Sequence, residues 1–184
     1  MIASENDFML AHILKNVMER PFARKLHNCR DLSDIFELVK LAVDKVLHLH
    51  RAGLTLGLAD LGEGAHGWIG GYHILSSNAI IMNRRPLYRI EDSKPNLYKP
   101  YAMMLLTHEY IHSLGIISEL QCRKMTLHVL ESLFGRSHLA TEMARDIKKF
   151  LPEFRTVRYG WVPPQDPDII YVTNFDRSSM TYYS

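Results

Sequence analysis

A chain of 184 residues is the size of one domain and long enough to bury a core of its own. A composition of 47% hydrophobic and 23% charged residues excludes disordered and fibrous classes, and 22 Lys and Arg against 20 Asp and Glu leave only +2, too even for a nucleic-acid partner. Two cysteines, Cys29 and Cys122, exclude a disulfide framework and a four-cysteine zinc module, whereas ten histidines direct the search to clusters of that residue.

The first residues, Met1-Ile-Ala-Ser-Glu-Asn-Asp, carry acids where a secretory signal carries bases. No run approaches the ~18–20 apolar residues of a membrane span. The expectation is a soluble, cytoplasmic protein with no membrane partner and with both thiols reduced. A first helix is predicted from Asn6 to Arg20, with Leu10, Ile13, Leu14 and Val17 on one face and Pro21 as its stop. A second follows an Asp31 cap, with Leu32, Ile35, Phe36, Val39, Ala42, Val43, Val46 and Leu47 at helical spacing.

The pattern then shortens to apolar runs between turn residues. Thr55 to Ala59, Trp68 to Leu75 and Ala79 to Met82 read as strands, with turns at Gly62-Glu-Gly and Ser76-Ser-Asn. Gly70-Gly71 beside Trp68 and Tyr72 reads either as a bulge or as an edge strand able to pair with an extended peptide. Pro86, Pro95 and Pro100 mark a loop from Arg84 to Lys99. Helices are expected from Tyr101 to Leu114, ended by Gly115; from Ser118 to Phe134, ended by Gly135; and from Leu139 to Phe150. A last strand is expected at Ile169 to Thr173. The order of helices, small sheet and helices predicts a single α+β domain over residues 1–184, its small twisted, mainly antiparallel sheet packed on helices.

The chemistry sits in Thr107-His108-Glu109-Tyr110-Ile111-His112-Ser113-Leu114-Gly115, an H-E-x-x-H pattern. Residues four apart lie ~40° apart around a helix, so both imidazoles can reach one tetrahedral zinc. Glu109 points about 100° away from His108, where a carboxylate can take a proton from a zinc-activated water. Met103, Met104, Leu105, Leu106, Ile111 and Leu114 make this helix apolar around most of its girth, a costly place for His-Glu-x-x-His without a use.

These residues resemble the zincin metallopeptidases, in which this helix supplies two zinc ligands and the general base. Gly115 and Glu119 are further similar to the metzincin branch, and to astacins in particular, where a third histidine stands at the position occupied here by Ser118. Phe175-Asp-Arg-Ser-Ser-Met-Thr-Tyr182 resembles an astacin Met-turn; the resemblance implies that Met180 underlies the zinc and that Tyr182 helps to stabilise the oxyanion. The two segments also resemble small uncharacterised archaeal H-E-x-x-H proteins.

A catalytic zinc needs three protein ligands, and Ser118 is a poor one. Glu119 ranks first as the third ligand, with His138 and Glu131 as alternatives; the competing reading of Glu119 is a first-turn acid that favours the helix dipole. Cys122 reads as a small buried hydrophobe. His48, His50, His66 and His73 could add a second metal, but no spacing among them is diagnostic. The expectation is therefore a Zn2+-dependent peptidase that acts on a peptide or protein substrate, with His108, His112 and Glu119 as metal ligands and Glu109 and Tyr182 as catalytic residues. The alternative is a non-catalytic zincin-like protein with a structural metal or a partner-binding role.

Overall fold

In the computed structural model, which describes residues 20–62, 69–74, 77–152 and 168–177, helices begin either at a side-chain cap or on a proline. Helix α1 (Pro21–Asn28) opens on a proline, so the residue expected to stop a helix starts one. The segment before it, predicted helical from Asn6, lies outside the described residues apart from Arg20. Helix α2 (Leu32–Leu47) starts where predicted: the Asp31 carboxylate accepts from the Asp34 amide at 2.8 Å. It ends on His48 in the left-handed conformation (φ 55°), which gives that histidine a capping role.

Strands β1 (Thr55–Ala59), β2 (Gly71–His73), β3 (Ala79–Asn83) and β4 (Ile169–Tyr171) form one sheet in the order β2-β3-β1-β4. The central pair β1–β3 is parallel and both outer pairs are antiparallel. Strand β2 is shorter than predicted, and Gly71 in it has a steric reason: a Cβ there would lie 2.7 Å from the backbone oxygen of Ile81. Pleat alternation divides the residues between the two faces. Ile80 and Met82 join the main core with the helices, whereas Ile81 packs with Ala59, Leu61, Ile69 and Tyr72 on the other face. His73 pairs with Ile80 and so shares the helix face.

The predicted loop from Arg84 to Lys99 is instead helical. Helix α3 (Arg84–Ser93) is capped by Asn83, whose side chain accepts from the Arg85 amide. Helix α4 (Pro95–Ser113) begins six residues before the expected Tyr101. The prolines were misleading for one physical reason. Pro86 and Pro95 sit in first turns, where a missing N–H costs nothing, and Pro100 removes a single bond near the start of a long helix. Helix α5 (Glu119–Phe134) is capped by Ser118, as expected, and closed by Gly135 (φ +86°). Helix α6 (Leu139–Arg145) is shorter than the predicted helix, which continues only as a 3-10 turn at Ile147–Lys149. The described residues thus form an α+β fold of six α-helices and a small mixed sheet. None of these helices is long and apolar enough to cross a membrane.

Helix α4 runs through the centre of this arrangement, with Tyr101, Ala102, Met103, Leu106, Tyr110 and Ile111 fully buried. The Tyr110 ring meets Phe36 of α2 edge-on at 5.5 Å, and its hydroxyl both donates to the Arg51 carbonyl and accepts from the Arg51 amide. The Arg51 guanidinium in turn donates to the Ser113, Ser77 and Asn78 oxygens. The last turn of α4, which carries the H-E-x-x-H residues, is thereby tied to the turn that precedes β3.

A candidate metal centre between two helices

His108 and His112 lie one turn apart on α4, both largely buried, with rings perpendicular and centroids 4.7 Å apart. Gly115 (φ +95°) reverses the chain just beyond the helix. Ser118 then spends its side chain capping α5, and Glu119, the first residue of that helix, turns its carboxylate back towards the imidazoles. Glu119 Oε2 lies 3.3 Å from His108 Nε2 and 3.2 Å from His112 Nε2, and the two Nε2 atoms are 3.2 Å apart. The two readings of Glu119 are therefore compatible: it occupies the first turn of a helix and faces both histidines.

Three near-equal edges are informative. Tetrahedral zinc with bonds of about 2.0–2.1 Å to nitrogen and oxygen separates its ligand atoms by about 3.3 Å. The hydrogen bonding of the rings agrees. His112 Nδ1 donates to the Ile116 carbonyl at 2.7 Å, so the neutral ring presents a lone pair at Nε2. A carboxylate oxygen and two imidazole lone pairs at this range repel one another unless protons or a cation lie among them. Metal-free, the site collects protons. Burial opposes charge on His108, but hydrogen bonds with Cys122 and Glu119 outweigh it and raise the pKa to about 9; the same balance raises His112 to about 10. The imidazoles hold the Glu119 carboxyl far below its usual range, and Glu119 Oε1 accepts from Arg123 Nε at 2.6 Å.

Glu109 is buried at 4% exposure, and that burial pushes its carboxyl up against the downward pull of His108 and His112. The His73 backbone amide also acts on it, which places β2 alongside the acid. The His73 ring donates from Nε2 to the Ser77 carbonyl, leaving Nδ1 a buried acceptor without a hydrogen-bond partner among the described residues.

The other candidates are elsewhere. His138 caps α6, its Nδ1 accepting from the Ala140 amide while the ring packs on Phe134. Glu131 pairs with Arg136 and Arg145. Neither stands with the H-E-x-x-H histidines. The Met-turn positions Ser178 and Met180 and the candidate Tyr182 lie outside the described residues, as does His66. The residue that sequence reasoning undervalued is Cys122. It is fully buried, as expected, but polar in its contacts: Sγ lies 3.4 Å from His108 Nδ1 and 3.2 Å from the His108 carbonyl oxygen. His108, His112 and Cys122 form a second set of three donors close enough to share a metal ion. Only its position one turn past Glu119 on the helix after H-E-x-x-H could have signalled this. The chain matches no protein-family model, no curated protein and no solved structure.

Proposed function

We propose that this protein is a zinc-dependent peptidase of the zincin type, holding the metal through His108, His112 and Glu119. The observation that supports this reading is the triangle of Nε2, Nε2 and Oε2 with 3.2–3.3 Å edges, beside a buried glutamate on the same helix. A zinc ion held there would acidify a water molecule and polarise a carbonyl group.

The protein's own groups do the rest. Glu109, its proton affinity raised by burial, would accept a proton from the water that attacks the peptide carbonyl and return it to the amine as the C–N bond breaks, leaving a carboxylic acid and an amine. The Ile116 carbonyl fixes the His112 ring, and Arg123 holds the outer oxygen of Glu119, so the donors keep their places between turnovers. Strand β2, terminal in the sheet and beside Glu109, is the element along which an extended peptide would lie.

Metal analysis and peptide hydrolysis test the proposal together. The purified protein should carry one zinc per chain, lost in His112→Ala. Glu109→Gln should retain zinc and lose cleavage of a mixture of unstructured peptides. Full cleavage by Glu109→Gln, or absence of zinc after metal-replete purification, overturns the mechanism. Cys122 favours a second reading, a non-catalytic protein. If its sulfur joined the other three donors, four protein ligands would close the site as structural zinc sites are closed.

A further inference from the structure

We propose that Cys122 is a positioning residue that fixes the tautomer of His108, so that this ring, like that of His112, offers Nε2 to the metal; the inference rests on the zinc site proposed above. The two histidines share a chemical requirement and meet it differently. An imidazole presents its Nε2 lone pair only when the proton resides on Nδ1, and the partner of Nδ1 decides where the proton resides. For His112 that partner is the Ile116 carbonyl, an acceptor with no proton of its own. For His108 it is the Cys122 sulfur.

A thiol can donate or accept, so its orientation matters. Cys122 Sγ–H donates to the His108 carbonyl oxygen at 3.2 Å, which commits the thiol proton and turns the sulfur lone pairs towards Nδ1 at 3.4 Å. The sulfur thus contacts both the backbone and the ring of one residue, across the α4–α5 contact. Its complete burial keeps water from competing for either bond. An apolar residue of the same size would fill the space and leave the Nδ1 proton without a buried acceptor, which favours the wrong tautomer. The sulfur meets the His108 ring at Nδ1 while Glu119 Oε2 and His112 Nε2 meet it at Nε2, and the sulfur also lies within reach of the His112 ring.

Zinc affinity by chelator competition, on the full chain, tests the proposal. Cys122→Val should bind zinc about 10–100-fold more weakly than the unaltered protein, the usual loss when an outer-shell partner of a metal ligand is removed. Cys122→Ser, whose hydroxyl can also accept from Nδ1, should recover most of that loss. Nitrogen NMR of the histidine-labelled, zinc-loaded protein supplies a readout that packing alone would not move. His108 should ligate through Nε2 and carry its proton on Nδ1 in the unaltered protein and in Cys122→Ser, whereas in Cys122→Val a fraction of the molecules should ligate through Nδ1 or leave His108 unligated. Thermal unfolding of both variants identifies a loss caused by misfolding, in which case the serine variant alone decides by its tautomer. Equal zinc affinity in the unaltered protein and Cys122→Val overturns the inference and leaves the zinc site standing. A thiolate-to-metal charge-transfer band in the cobalt-substituted protein also overturns it, because Cys122 would then be a ligand. Failure of the unaltered protein to bind zinc overturns the underlying site as well.

Discussion

Glu119 has two jobs assigned to its two oxygens: Oε2 faces the imidazoles and Oε1 holds Arg123. The proposed site gives these unequal weight. Glu119→Gln should weaken zinc binding by more than the about 10–100-fold typical of an outer-shell loss, and Arg123→Ala should fall within that range; both can be read by chelator competition. Equal effects would remove the distinction between ligand and support. His138 permits a different measurement. Burial lowers its pKa to about 4, and protonating Nδ1 would break the cap that it provides to the Ala140 amide. The unfolded chain therefore binds a proton between about pH 6.5 and 4 that the folded chain refuses, so stability rises with pH across that window. The contribution, up to about 3 kcal/mol, is complete above about pH 6.5 and is lost progressively as pH falls to 4. His138→Asn keeps a capping side chain and should flatten that part of the stability profile in urea denaturation measured at several pH values.

Helices carried clear signals where apolar spacing and caps agreed. Asp31 and Ser118 open α2 and α5, and Gly115 and Gly135 follow α4 and α5, as their sequence signals imply. Proline was the ambiguous signal, because the same ring that breaks a helix interior is favoured in a first turn. Pro21, Pro86 and Pro95 all fall on the helix-starting side, and nothing local distinguishes the two uses. The candidate site was legible to the extent that it is local: His108, His112 and Glu119 belong to one helix end and its neighbour. Cys122 and His73 were not, since their roles depend on how α5 and β2 pack against α4. Strand β2 supplies the prediction at this scale. In Gly71→Ala the added carbon would meet the Ile81 backbone oxygen at 2.7 Å, a contact that no side-chain rotation relieves. The strand must shift, at a cost of about 1–3 kcal/mol. Peptide cleavage should therefore fall while zinc content is unchanged, since β2 flanks Glu109 and holds none of the proposed metal ligands.

At the scale of the whole molecule, the segment that follows β4 is anchored to α2. Lys40, 4% exposed, reaches Asp176 at 2.6 Å and Glu37 at 2.8 Å, and the other Asp176 oxygen accepts from the Leu54 amide. Phe175 stacks on Phe36 at 4.0 Å, Arg177 pairs with Asp34, and the Ser33 hydroxyl donates to the Thr173 carbonyl. A buried ion pair returns little net stability when intact, but removing one partner is costly. Asp176→Ala should lower the free energy of unfolding by about 3 kcal/mol, near the low end for such pairs because Glu37 still faces Lys40. A change below about 1 kcal/mol in denaturant titration would show that the anchor is not electrostatic. Phe36 contacts Phe175 on one side and Tyr110 on the other, so this anchor also supports the helix that bears the histidines.

The turn at Gly115 has a consequence for how the proposed site is assembled. All three proposed metal donors fall between residues 108 and 119, so an ion bound there would close a loop of about a dozen residues, whose entropic cost is small. The site needs no strand pairing to bring its ligands together; it needs only the end of one helix, one reversal and the start of the next. On the proposed ligand set, metal would bind a partly folded chain as soon as this helical hairpin forms, before the distant pairing of β1 with β4 is made. Zinc would then guide the folding of the protein as well as serve its chemistry.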